Sequence, residues 1–309
     1  NVADTDGANA HDGSAPGPTG IAIVGADTTR GNWWYSLDNG ASWALFAGPS
    51  LPAMSTGHAL HLVADANTRI YFQPTVPNFN GALPVALSYR AWDRSDGVTN
   101  GTLSALPPGP LGSGTLTDAA AYSSAVAQIP QAVAAVNDAP VTTGTAGLVE
   151  PEDTISPTPA TVANLFGGNF SDTADQQQSA QNPTGSVANV LAGIAITGNA
   201  TVPGSGTWRY SLDGGATWTA VASGLSDSNA LVLSASARLE FLPAPNFNGV
   251  PSVLTVRLID SSDVVVTGTT TGANLAATTQ AIGGVDVTVN GGTTAVSADR
   301  VPLSVVVTA

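Results

Sequence analysis

The sequence contains no cysteine, which excludes disulfides, thiolate metal sites and cysteine nucleophiles. Lysine is absent too. The basic residues are eight arginines, set against 22 Asp and Glu, for a formal net charge of −14. Phosphate backbones are bound by clustered cations, so a nucleic-acid partner is not expected. Without lysine, a glycine-bearing stretch such as Leu111-Gly112-Ser113-Gly114 reads as linker rather than phosphate loop. No apolar run approaches the roughly 18 residues of a membrane span, so no membrane insertion is expected. The only histidines are His11, His58 and His61. The spacing of His58 and His61 suits a zinc pair on a helix, but the surrounding pattern reads as strand and loop, and no third ligand is adjacent. Glutamate occurs only at 150, 152 and 240, and no Gly-x-Ser-x-Gly elbow stands in a strand–helix setting. No enzymatic activity is expected.

What the chain does have is β-branched residues, with 34 Gly and 21 Pro to punctuate them. That mixture favours many short strands. At 43% apolar the chain has enough hydrophobic residues for a sizeable core, and its length suits two domains. The acidic balance has two readings, solubility outside the cell or binding of a divalent cation through carboxylate oxygens. No signal peptide opens the sequence, and Asn1 is not a start residue, so a processed or cut N-terminus is expected.

An internal repeat dominates the sequence. Trp33-Trp34-Tyr35-Ser36-Leu37-Asp38-Asn39-Gly40-Ala41-Ser42-Trp43 recurs as Trp208-Arg209-Tyr210-Ser211-Leu212-Asp213-Gly214-Gly215-Ala216-Thr217-Trp218. Gly20-Ile21-Ala22-Ile23 matches Gly193-Ile194-Ala195-Ile196, and Pro77-Asn78-Phe79-Asn80-Gly81 matches Pro245-Asn246-Phe247-Asn248-Gly249. Tyr89-Arg90-Ala91-Trp92-Asp93 matches Val256-Arg257-Leu258-Ile259-Asp260. Alternation at 208, 210 and 212 predicts a half-buried strand, and the Asp-x-Gly segments predict hairpin turns. The Trp and Tyr rings are expected in the core or packed across strands. Trp34 is the exception, because its counterpart is Arg209, and it is expected to face outward. Phe79 and Phe247 are expected to plug the ends of their units.

The fold class is therefore all-β, two tandem sandwiches, with repeats at 1–138 and 139–309. Val141 to Gly168 has no counterpart in the first repeat, which is therefore expected to lack its opening strand. Either the chain is a fragment of a longer array, or a neighbouring subunit supplies the strand. Asp4, Asp6 and Asp12 form a weak acidic cluster aligned with Asp172 and Asp175.

Val136-Asn137-Asp138-Ala139-Pro140-Val141 and Glu152-Asp153-Thr154 resemble the joint of the cadherin-like, immunoglobulin-like repeats of large bacterial RTX-type adhesins and biofilm surface proteins. The Trp-x-Tyr-Ser hairpin and the Pro-Asn-Phe-Asn-Gly loop are similar to a repeat subtype of those proteins. The resemblance implies a secreted, non-enzymatic structural repeat whose joints are stiffened by Ca2+. Its implied ligands are Asn137 and Asp138 in the linker, Glu152 and Asp153 from the second repeat, and Asp93 or Asp96 from the first. Asp260 and Asp263 would then serve a joint after residue 309. Expected partners are neighbouring repeats or identical subunits. A filament subunit completed by a neighbour's strand, or an adhesin module binding a host or matrix glycan or peptide, is the alternative. In the latter case Trp34, His58, His61 and the Ser104–Tyr122 insertion are where a binding site would sit.

Overall fold

A computed structural model describes residues 19–106, 121–200, 202–251, 253–262, 265–266 and 270–309. The chain is all-β and divides into two compact units, 1–135 with 178–185, and 136–177 with 186–309. The Asp4, Asp6 and Asp12 cluster, His11, Asp263 and most of the 104–122 insertion lie outside the described residues.

The first unit contains β1 (Gly20–Ala26), β2 (Gly31–Ser36), β3 (Ala44–Ala47), β4 (Ala59–Val63), β5 (Arg69–Pro74), β6 (Gly81–Trp92), β7 (Leu103–Ser104) and β8 (Ala127–Val133). They form a five-stranded sheet in the order β7-β4-β1-β6-β8 and a three-stranded sheet in the order β3-β2-β5. Ile23, Leu60, Leu62 and Leu87 from the first sheet share a core with Trp33, Phe46 and Phe72 from the second. Period-2 geometry explains the split of the Trp pair. Trp33 turns inward, 4.8 Å from Phe72 between ring centroids, while Trp34 turns to the opposite face. Residues 178–185 add to this unit through hydrogen bonds from Asn182 Nδ2 to Asn80 O (2.8 Å) and from Ala82 N to Thr184 Oγ1 (2.8 Å).

The second unit opens with β9 (Val141–Thr142), β10 (Ala146–Pro151), β11 (Ala160–Thr161), α1 (Val162–Phe166) and β12 (Phe170–Ser171). It continues through β13 (Leu191–Asn199), β14 (Gly206–Ser211), β15 (Thr219–Ala220), β16 (Ala230–Ser234), β17 (Arg238–Pro243) and β18 (Val253–Asp260). It closes with β19 (Val265–Val266), β20 (Thr270–Thr271), α2 (Gly272–Ala277), β21 (Ala281–Val285) and β22 (Val301–Thr308). One sheet runs β10-β22-β18-β13-β16-β21 and the other β11-β17-β14-β15. Ile194, Ile196, Leu233, Val256 and Val305 of the first meet Trp208, Leu239 and Phe241 of the second. Trp208 and Phe241 stack edge to face at 5.3 Å.

Local chemistry explains why the repeat keeps its motifs. In both hairpins a serine and an aspartate knit the turn. Ser36 Oγ donates to Asp38 Oδ1 (2.7 Å), Gly40 N donates to Ser36 Oγ (2.8 Å), and Ser42 N donates to Asp38 Oδ1 (2.8 Å). Ser211, Asp213, Gly215 and Thr217 repeat that pattern. These donors hold Asp38 down to about 2 and lower Asp213 as well. Leu212, read from the sequence as the third inward residue of its strand, is 40% exposed, because the turn begins at Ser211 and breaks the alternation. In the Pro-Asn-Phe-Asn-Gly loops, Asn78 and Asn246 take φ of 58° and 61°, a region where asparagine is several-fold enriched. Phe79 is buried and Phe247 packs against the core, as plugs.

The segment unique to the second unit is integral to it. β10 runs parallel to β22, pairing Ala146 with Leu303 through Pro151 with Thr308. β11 pairs with the edge of β17. Thr161 caps α1 by accepting from Asn164 N (3.1 Å), and Val162 and Phe166 are fully buried between the sheets. Among the described residues of the first unit, no strand takes the place of β10 beside β8 or of β11 beside β5.

Candidate functional site

Asn137 and Asp138 meet three carboxylates of the second unit. Asn137 Nδ2 donates to Thr294 O (3.1 Å) and, at 3.5 Å, to Asp260 Oδ2. Asp138 N donates to both carboxylate oxygens of Asp175 (3.2 and 3.3 Å). Asn189 ties the set together. Its Nδ2 reaches Asn137 Oδ1 (2.9 Å) and Asp175 Oδ2 (3.0 Å), and its backbone N reaches Asp172 Oδ2 (2.6 Å). Asp172, Asp175 and Asp260 are 5%, 5% and 0% exposed. Oδ1 of Asp172 is buried with no hydrogen-bond partner.

The electrostatics of this cluster are unfavourable as it stands. Burial, reinforced by the charges of Asp175 and Asp260, pushes Asp172 up to about 6 against the ordinary 3.8. Burial also raises Asp175, with Asp138 adding repulsion, and raises Asp260, with Asp175 adding repulsion. Buried like charges of this kind need a proton or a cation. Among the described residues no group of three or more Asp, Glu or His side chains is placed to hold a metal ion as it stands. What the cluster offers is hard oxygen donors from four carboxylates and two amides, the donor chemistry of calcium.

The other sequence-derived ligands lie elsewhere. Asp153 Oδ1 accepts from Asn246 N (2.7 Å), and Glu152 Oε2 accepts from Asn248 Nδ2 (3.2 Å). These two acids therefore clamp the second Pro-Asn-Phe-Asn-Gly loop, which precedes the start of β18. Asp260 ends β18, seven residue steps of about 3.3 Å further on, or roughly 23 Å. Glu152 and Asp153 thus sit at the opposite end of the unit from Asn137 and Asp138. Asp260, expected to serve a joint after residue 309, instead stands beside Asn137. Sequence reading placed Asp172 and Asp175 in a weak, separate loop. Their signal was the i, i+3 pair of acids, but their meeting with Asp138 and Asp260 depends on the tertiary fold.

In the first unit, Asp93 Oδ1 accepts from Ser95 N (2.8 Å). Asp96 accepts from Trp92 Nε1 (2.9 Å) and from Tyr122 Oη. Burial works to raise Asp96, but these hydrogen bonds prevail and lower it. His61 is fully buried, with Nδ1 3.2 Å from Thr102 O and Nε2 2.8 Å from Tyr122 Oη. Asp96, at the surface, and His61, in the core, therefore belong to one hydrogen-bonded network joined through Tyr122. Burial lowers the His61 pKa. No family model, curated protein or solved structure matches this chain. Among the described residues no helix is long and apolar enough to cross a membrane.

Proposed function

We propose that the chain is a non-enzymatic extracellular structural repeat of a bacterial surface adhesin or fibre, built from immunoglobulin- or cadherin-like sandwiches and stiffened by Ca2+ at the linker. The observation that carries this reading is the convergence of Asn137 and Asp138 on Asp172, Asp175 and Asp260. Two residues at the start of the second unit meet a buried group of carboxylates whose repulsion a divalent cation relieves. The orphaned Asp172 Oδ1 supports the fit, since it is a desolvated acceptor with nothing to accept. Asp138, Asp172, Asp175 and Asp260, with the amide oxygens of Asn137 and Asn189, would hold the ion. Calcium would neutralise the cluster and fix the linker to the unit that follows it. Calorimetric titration of the purified chain with CaCl2, paired with thermal unfolding in EDTA and in calcium, tests this. Saturable binding with a rise in unfolding temperature is expected. Unchanged unfolding across the titration refutes the calcium-stiffened reading.

The edges of the first unit favour a second reading, a filament subunit completed by a neighbour's strand. β10 and β11 cover β22 and β17 in the second unit, whereas β8 and β5 have no such partners among the described residues. Uncovered edges invite pairing with another chain. Under this reading purified chain forms long non-covalent assemblies visible by electron microscopy, and a peptide of residues 141–168 caps them. A strictly monomeric chain at high concentration refutes it.

A further inference from the structure

The outward face of the three-stranded sheet in the first unit carries an open pocket of about 410 Å3 lined by Trp34, Trp43, Tyr71 and Gln73. Trp34 and Tyr71 are direct cross-strand partners on β2 and β5. The Trp43 and Tyr71 rings meet edge to face, 5.8 Å apart at 60°, and are 42% and 51% exposed. Trp34 Nε1 donates to Gln73 Oε1 (3.1 Å), which orients the amide. Among the described residues no charged side chain lines the pocket.

The second unit supplies an internal control. Arg209 pairs with Glu240 in the register that Trp34 shares with Tyr71, and Trp218 stands where Trp43 does. There the face is closed on itself. Arg209 forms an ion pair with Glu240, and its guanidinium lies 5.6 Å from the centre of the Trp218 ring. Leu242 takes the place of Gln73. The same scaffold therefore carries an ion pair in one copy and three ring planes with one amide in the other. The changes are coordinated. Both members of the charged pair are replaced by aromatics, and the apolar neighbour is replaced by an amide.

We infer that this pocket is a binding site for a neutral sugar. Aromatic planes receive the apolar C–H face of a pyranose ring, and the amide and the Tyr71 hydroxyl bond its hydroxyl groups. Trp and Tyr suit this task because each joins a large apolar surface to one polar atom. Few polar groups among apolar walls, in a volume of several hundred Å3, is the usual composition of a small-molecule site. With no cation in the lining and a chain charge of −14, an acidic glycan would be repelled. The inference goes beyond the structural-repeat reading and stands without calcium.

The test uses the full chain and the double variant Trp34→Arg, Tyr71→Glu, which rebuilds the pair that the second unit already accommodates. Both proteins are screened against neutral glucose-, galactose-, mannose- and N-acetylglucosamine-based oligosaccharides, in EDTA and in calcium. Hits are quantified by calorimetry and tryptophan fluorescence. The expected result is binding by the native chain that is independent of calcium and at least tenfold weaker in the variant, with unfolding temperatures alike. Gln73→Leu is a second, milder variant, expected to weaken binding while leaving the rings in place. Absence of binding to every neutral sugar overturns the inference, as does equal binding by native and variant chains. Preferential retention of proline-rich peptides by the same pocket also overturns it. A failed calcium titration with intact sugar binding refutes the stiffened joint alone.

Discussion

Replacing Asp172 by asparagine separates the cost of the acidic cluster from its use. The substitution keeps the shape and the acceptor that receives Asn189 N, but removes the charge. In the folded chain this carboxyl is pushed up to about 6 from 3.8, first by burial and then by Asp175 and Asp260. The folded state therefore binds the proton more tightly than the unfolded state. The stabilisation from that proton is complete below 3.8 and is lost as the pH rises through about 6. Moving a carboxyl that far is worth at most about 3 kcal/mol, and screening by solvent and salt reduces this to about 1–2 kcal/mol. In EDTA at pH 7.5, Asp172→Asn is thus expected to be more stable than the native chain by about 1–2 kcal/mol, an advantage that disappears near pH 4. Calcium reverses the order. A ligand at a hundredfold excess over its Kd adds about 2.7 kcal/mol to the form that binds it, and the variant loses most of that gain. Differential scanning calorimetry at both pH values, with EDTA or calcium, resolves the four cases. A variant no more stable than native in EDTA at pH 7.5 refutes the electrostatic argument. An identical calcium response in the two proteins refutes the assignment of the ion to this cluster.

Two further perturbations probe the segment 141–168, which has no counterpart among the described residues of the first unit. Phe166→Ala removes a fully buried ring from between the sheets of the second unit and is expected to cost about 3–5 kcal/mol, measured by chemical denaturation. Glu150 is 1% exposed on β10, and burial, with the nearby charge of Glu240, raises its pKa. Its folded-state preference for the proton is lost as pH rises through the raised value, so Glu150→Gln is expected to raise the unfolding temperature at pH 8 but not at pH 4.

The strand blocks were legible because they rest on local rules: alternation for Trp33 against Trp34, and hairpin chemistry for Asp38 and Asp213. The internal repeat was legible because self-similarity needs no structure. The acidic cluster was not, since its members stand at 137–138, 172–175 and 260, and only the return of β18 beside the linker unites them. Glu152 and Asp153 looked like ligands because acids near a joint share a composition with acids that clamp a loop. Composition carries no end-of-strand address. Trp43 and Tyr71 were expected in the core or packed across strands; their rings do meet edge to face, yet both remain exposed. Their exposure comes from lying on the outer face and edge of a three-stranded sheet, a fact of pairing order rather than of local sequence. The short helix Val162–Phe166 has too few residues to show a period.

The parallel pairing of β10 with β22 has a mechanical consequence. These strands lie near the two ends of the second unit's chain and run side by side in the same direction. Tension drawing those ends apart pulls the strands lengthwise past one another, so the ladder is stressed in shear. Six residue pairs, Ala146–Leu303 to Pro151–Thr308, then resist together instead of opening one after another like a zipper. A unit wired in this way withstands stretching far better than one whose terminal strands unzip, because rupture must cross a barrier set by many bonds at once.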